Sequence, residues 1–161
     1  KCMDFPLKWG FEKTIMSHVD AADATIFPYE NKWWMLVNID PAGRNDHCSE
    51  LFAFWSEDPT SDKWIPHKLN PLIINPAKAR MGGLFKDGEQ IYRVAQCQGF
   101  NMYGEKSIIY NIKELTIDKY EEEKVCANHP QFSEDILGTH HMHSNSNLTV
   151  FDCVSKKFRF L

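Results

Sequence analysis

The 161-residue chain has no apolar run near the roughly 20 residues that cross a bilayer, so no membrane span is expected. It has no surplus of positive charge either. Its 18 Lys and Arg face 22 Asp and Glu, giving a net charge of −4. A nucleic-acid grip shows as a basic patch or stripe, and no nucleic-acid partner is expected. No Cys-x-x-Cys pair is present. The five cysteines stand at 2, 48, 97, 126 and 153, which argues against a zinc knuckle or a redox motif, and an odd number leaves at least one thiol free. Lys1-Cys2-Met3-Asp4 opens without the charged and apolar regions of a secretory leader. Helical periodicity is weak throughout, and no flexible linker or low-complexity segment interrupts the chain. What is abundant is strand-forming sequence. Aromatics reach 13%, with eleven Phe and five Trp, in runs bounded by Gly, Pro, Asn and Asp. A hydrophobic content of 43% is enough for one ordinary core.

The central pattern is Ala79-Arg80-Met81-Gly82-Gly83-Leu84-Phe85, then Lys86-Asp87-Gly88, then Gln90-Ile91-Tyr92-Arg93-Val94-Ala95-Gln96. An Asp-Gly pair between two apolar runs predicts a hairpin turn. The same hairpin recurs. Phe27, Phe85 and Met142 align, and six residues later Trp33, Ile91 and Leu148 each open a second strand, at offsets of about 58 and 57 residues. Internal repeats somewhat shorter than this mark the blades of β-propellers.

Later strands follow the same order. Residues 32–37, 50–55 and 63–67 form the second to fourth strands of one unit, and residues 90–96, 107–112 and 119–123 those of the next. Trp64 and Tyr120 hold equivalent places, and Trp9 upstream matches them. The second strands are apolar on both faces, as sandwiched strands are. The fold expected is all-β: a partial β-propeller of four-stranded antiparallel blades, two full blades plus flanking strands of a five-bladed fold. Units fall at about 22–78, 79–136 and 137–161, with 1–21 finishing an earlier blade, all one segment over 1–161. Since propellers close with about four to eight blades, the chain reads as part of a longer protein.

The first strand of each blade lines a propeller's central channel. In the repeat alignment Asp23 matches Met81 and Gly138, Ala22 matches Arg80, and Thr25 matches Gly83 and His140. Asp23, Arg80 and His140 are therefore expected to converge on one axis. Asp23 and Arg80 simply pairing with each other is the structural alternative. Gln96 and Arg93 are placed on the channel wall, where a planar guanidinium grips carboxylate, phosphate or paired hydroxyls.

Two stretches carry a family resemblance. Ala22-Asp23-Ala24-Thr25-Ile26-Phe27 with Lys32-Trp33-Trp34-Met35-Leu36 resembles the blade opening of five-bladed propellers related to glycoside hydrolase family 43. The longer set of Ala79-Arg80, Gly82-Gly83, Phe85, Tyr92-Arg93, Gln96, Tyr103-Gly104, Tyr120, Glu122 and Gly138-Thr139-His140 resembles the propeller domain found N-terminal in glucosamine inositolphosphorylceramide transferases and bacterial relatives. The resemblance implies a sugar or sugar-phosphate ligand and a glycosyltransferase domain in the full-length protein. It also implies a module of glycoconjugate synthesis or processing without hydrolase activity of its own. Family 43 resemblance brings a base Asp, a tuning Asp and an acid Glu. Asp23 matches the tuning Asp, and no carboxylate stands near Met81-Gly82, where the acid would fall.

Two alternatives stay open. One is a hydrolase or glycosyl-transferring enzyme drawing its acid from Glu105 or Asp46, and the other is an interaction scaffold with no ligand. No catalytic residue is assigned. Ligand contacts are expected from Asp23, Arg80, Arg93, Gln96 and His140. In Thr139-His140-His141-Met142-His143, His141 and His143 share a strand face and could reach one metal, but the expectation is no metal and no cofactor. Trp33, Trp34 and Trp55 are core or sugar-stacking residues, and Arg44-Asn45-Asp46-His47 is a polar loop suited to ligand contact. Asn147-Leu148-Thr149 fits the N-glycosylation acceptor pattern.

Overall fold

The computed structural model describes residues 1–99, 102–129, 133–145 and 147–156, with the side chains of residues 102 and 103 outside that description. The Tyr103 side chain, Pro130 and the end of the third expected unit therefore lie outside the described residues. Two antiparallel meanders dominate. A small hairpin of β1 (Cys2–Asp4) and β2 (Lys8–Trp9) precedes them. The first meander runs through β3 (Ala21–Tyr29), β4 (Lys32–Ile39), β5 (Glu50–Ser56) and β6 (Ile65–Pro66), with β7 (Ile73–Ile74) also paired to β5. The second runs through β8 (Met81–Asp87), β9 (Gln90–Gly99), β10 (Met102–Leu115) and β11 (Tyr120–Asn128). Two pairs follow: β12 (Ile136–Gly138) with β15 (Val154–Ser155), and β13 (Met142–Ser144) with β14 (Thr149–Phe151). The described chain is all-β, consistent with a partial propeller.

Alternation along β4 explains the stacking. Trp34 and Leu36 face one side and join Leu51, Ala53, Met81, Leu84, Ile91, Ile112 and Leu115 in a core between the two sheets. Met35, Val37 and Ile39 face the other side and pack with Trp64, Phe52, Phe54, Ile15 and Met16. Side chains on a strand point alternately to opposite faces, so an unbroken apolar run buries both. Trp34 is thus core, as are most apolar residues of its strand. Asn38 clamps the sheets together. Its amide donates to the Glu50 and Ala79 carbonyls at 2.8 and 3.0 Å, and its oxygen accepts from the Met81 N–H at 2.7 Å.

The ladder itself carries the repeat. Ala22 pairs with Asn38 in the first sheet, and the Gln96 N–H donates to the Arg80 carbonyl at 2.9 Å in the second. A bulge interrupts the first strand at matching places, between Ala22 and Thr25 and between Met81 and Leu84. Such bulges recur at functional rims, where they re-aim side chains.

Details depart from the sequence expectations for local reasons. Asp87 pairs with Gln90, so the turn is Gly88-Glu89, with Gly88 at φ +57° as a type II′ turn requires. The matching turn, Glu30-Asn31, has φ +46° and +60°, a type I′ pattern. The expected strand over 63–67 shrinks to two residues, and the Pro-rich crossing contributes β7. Trp9, expected at the end of an earlier blade, pairs within its own hairpin.

Candidate functional site

The bulge in β3 puts Asp23 at φ +55°, a left-handed conformation uncommon outside glycine though less so for Asp. Its carboxylate forms an ion pair with Arg80, and the two side chains are 31% and 12% exposed. Arg80 also donates to the His47 carbonyl at 2.9 Å, and the His47 ring in turn meets Asp20 at 2.8 Å. The loop carrying His47 is held by Asp46, which accepts from the Cys48 and Ser49 N–H groups at 2.9 and 3.1 Å. The Ser49 side chain and then these backbone bonds hold the Asp46 carboxyl below the usual aspartate range. Burial pushes the Cys48 thiol up, with Arg80 partly opposing.

The third unit lies across Gly82 and Gly83. A Cβ on Gly82 would overlap the His140 carbonyl oxygen, and one on Gly83 that of Met142. Only glycine permits this backbone approach. It brings His141 and His143 toward β3. Their rings lie 4.9 Å apart, and with Asp23, Ala24, Thr25 and Ile26 they line a cleft of about 320 Å³. The His143 Nδ1 lies 2.9 Å from the Leu84 carbonyl. A carbonyl only accepts, so Nδ1 carries the hydrogen and Nε2 of the neutral ring is an acceptor. Burial, then His143, lowers the His141 pKa, against smaller opposing effects of Asp152 and Asp23. His141 is therefore neutral at pH 7.

The residues proposed from sequence divide. Asp23 and Arg80 meet as a pair. His140 turns to the other side of its segment, where its Nδ1 lies 2.6 Å from Asp152. Beside Asp23 in the cleft stand His141 and His143. Arg93 is enclosed, at 0% exposure, by a two-pronged ion pair with Glu122 at 2.7 and 2.8 Å, a bond to the Lys78 carbonyl and the Tyr110 ring at 5.0 Å. Burial alone would lower its pKa, but Tyr120 and Glu122 more than offset this. Gln96 is buried too, and its Nε2 has no partner among the described residues. No group of three or more metal-ligating side chains is found among the described residues.

A larger cleft of about 760 Å³ opens toward the other end of β3, lined by Tyr29, Lys32, Trp33, Glu57, Lys86 and Glu89 among others. Its lysines are committed locally: Lys32 to Glu57 at 3.1 Å and Lys86 to the Pro28 carbonyl at 2.9 Å. The smaller cleft holds the convergent groups.

The family model described as glucosamine inositolphosphorylceramide transferase 1, N-terminal, matches residues 1–148. The chain belongs to this family. No curated protein and no solved structure matches it. The match to the glucosamine inositolphosphorylceramide transferase 1 N-terminal family covers both meanders and the cleft residues Asp23, His141 and His143. The two histidines were legible in sequence as a pair sharing one strand face. The alignment missed their placement because strand structure is interrupted over residues 139–141, between β12 and β13, which decides which histidine faces β3.

Proposed function

We propose that this domain is a carbohydrate-recognising module serving glycoconjugate synthesis, with its ligand face at the cleft of Asp23, His141 and His143 and with Arg80 holding Asp23 in place. Family membership supports the setting. The observation that carries the site is the meeting of three separate units at one concavity: β3 supplies Asp23, the third unit supplies the histidines, and the second unit holds both in place through Arg80, just before β8, and the two glycines of β8. A non-glycine residue held at positive φ beside a cleft is a recurrent mark of a functional position.

The hydrolase alternative draws its acid from Glu105 or Asp46, yet neither lines the cleft: Asp46 is taken up by the Cys48 and Ser49 N–H groups and Glu105 lies 3.6 Å from Lys106. Gly82 lies against the His140 carbonyl with no room for any side chain, which favours recognition over cleavage. The scaffold alternative draws support from the Asp23–Arg80 pair, yet Asp23 keeps part of its surface toward the cleft.

Saturation-transfer NMR of the chain against a monosaccharide panel tests the proposal. At least one sugar should show transfer that is lost in Asp23→Asn and weakened in Arg80→Ala, and aryl glycosides should not be turned over. Absence of transfer across the panel, or glycoside cleavage by the pure chain, would overturn it.

A further inference from the structure

The donors and acceptors around the cleft restrict what it can hold. Asp23 contributes a carboxylate, which only accepts hydrogen bonds. One of its oxygens faces Arg80. As a neutral ring His143 offers Nε2 as an acceptor, because Nδ1 is spent on the Leu84 carbonyl. His141 is neutral, so its ring offers one donor and one acceptor. Thr25 can do either, and Ile26 adds an apolar patch.

The cations that a phosphate would need are committed elsewhere. Arg80 is tied to Asp23 and the His47 carbonyl. Arg93 is sealed against Glu122. His140 faces Asp152. A phosphate dianion entering here would meet the Asp23 carboxylate with no uncommitted arginine beside it among the described residues, and like-charge juxtaposition at a binding face costs several kcal/mol. A ring bearing hydroxyl groups donates to each acceptor without that cost.

We infer that the cleft takes an uncharged polyhydroxyl ring and rejects the phosphorylated form of the same ring at neutral pH. This rests on the carbohydrate reading of the site and narrows its ligand class. Asp23 is then the specificity-determining residue, through its charge as well as its hydrogen bonds. Acidification adds a second handle. The charged or titratable groups around His141 are Asp23 from β3, Arg80 just before β8, His143 two residues on, and His140 with Asp152 across the unit. Below the ordinary histidine range His141 gains a proton, loses its acceptor, and presents a cation to the cleft. Preference for the neutral ring should then narrow.

The test is calorimetric titration of the 161-residue chain with matched pairs of hexoses and hexose 6-phosphates, and with inorganic phosphate, at pH 7.5 and pH 5.5. The neutral hexose that binds should do so at least about tenfold more tightly than its phosphate at pH 7.5, with a smaller gap at pH 5.5. Asp23→Asn keeps a residue type that tolerates the left-handed backbone and releases Arg80. It should weaken the neutral sugar and shrink the gap. His143→Ala, at an exposed position, should weaken the neutral sugar without admitting the phosphate. Equal or tighter binding of the phosphorylated sugar or of inorganic phosphate at pH 7.5 would overturn the inference and leave the carbohydrate site standing. Binding of neither member of any pair would overturn both.

Discussion

Arg80 and Arg93 show how one charge type meets opposite settings: Arg80 pairs with Asp23 beside the cleft, and Arg93 is sealed in the interior. Arg93 sits on β9 opposite Tyr110 of β10, walled in by Glu122, which also accepts from the Tyr120 hydroxyl at 2.6 Å. Removing one member of a buried pair strands the other charge, at a cost of about 3–5 kcal/mol. Arg93→Ala should therefore lower unfolding stability by roughly that amount in urea melts. Arg93→Met with Glu122→Leu should recover most of the loss and leave the proposed sugar binding in place, as a buried structural pair requires. The acidic loops respond to pH. Asp46 is lowered by hydrogen bonds from Ser49 and then Cys48, and Asp58 by those from Thr60. For carboxyls lowered in the folded state, the stabilisation is present above the unfolded value near 3.9 and is lost as pH falls through the folded value. The melting temperature should fall as the pH drops below about 4, and Asp46→Asn should flatten that fall.

At the scale of elements, the decisive contact is between the third unit and the bulge of β8. Gly82 and Gly83 are the floor on which residues 140–142 lie. The Ser107 hydroxyl adds a bond to the Thr139 carbonyl at 3.2 Å, and the Gly104 carbonyl accepts from the Thr139 N–H at 2.9 Å. Gly82→Ala should force this segment away at a cost of about 2 kcal/mol or more. Hydrogen exchange would then rise in β12 and β13 while β4 and β9 keep their protection. The cleft should lose its sugar signal with it, since His141 and His143 ride on the displaced segment.

At the scale of the whole molecule, the two meanders stack through one shared apolar layer pinned by the Asn38 side chain. A buried amide making three bonds to two sheets leaves several backbone groups unpaired when removed, at about 1–3 kcal/mol each. Asn38→Ala should lower stability by roughly 3 kcal/mol, read from urea unfolding. Chemical denaturation should still show one transition if the sheets unfold together. His67 makes a second bridge, its Nδ1 accepting from the Leu69 N–H at 3.0 Å and its Nε2 facing the Lys119 carbonyl at 3.3 Å.

The repeat of about 58 residues, the hairpins at 21–39 and 81–99 and the apolar sandwiching of β4 were legible in the chain. Each follows from local turn chemistry and the two-residue period of a strand. The pairing of Asp23 with Arg80 was legible as one of two readings, because the repeat puts them at adjacent positions of neighbouring units. The enclosure of Arg93 was not, since a lone arginine in an apolar strand does not say whether its partner is a ligand or a distant Glu122. Nor was the choice of His141 and His143 over His140 at the cleft. Strand alternation separates the two faces, but only the close approach of the third unit to Gly82 and Gly83 decides which face meets β3. Local geometry is written in spacing a few residues long, whereas which side chain faces which sheet depends on backbone contacts between segments more than fifty residues apart.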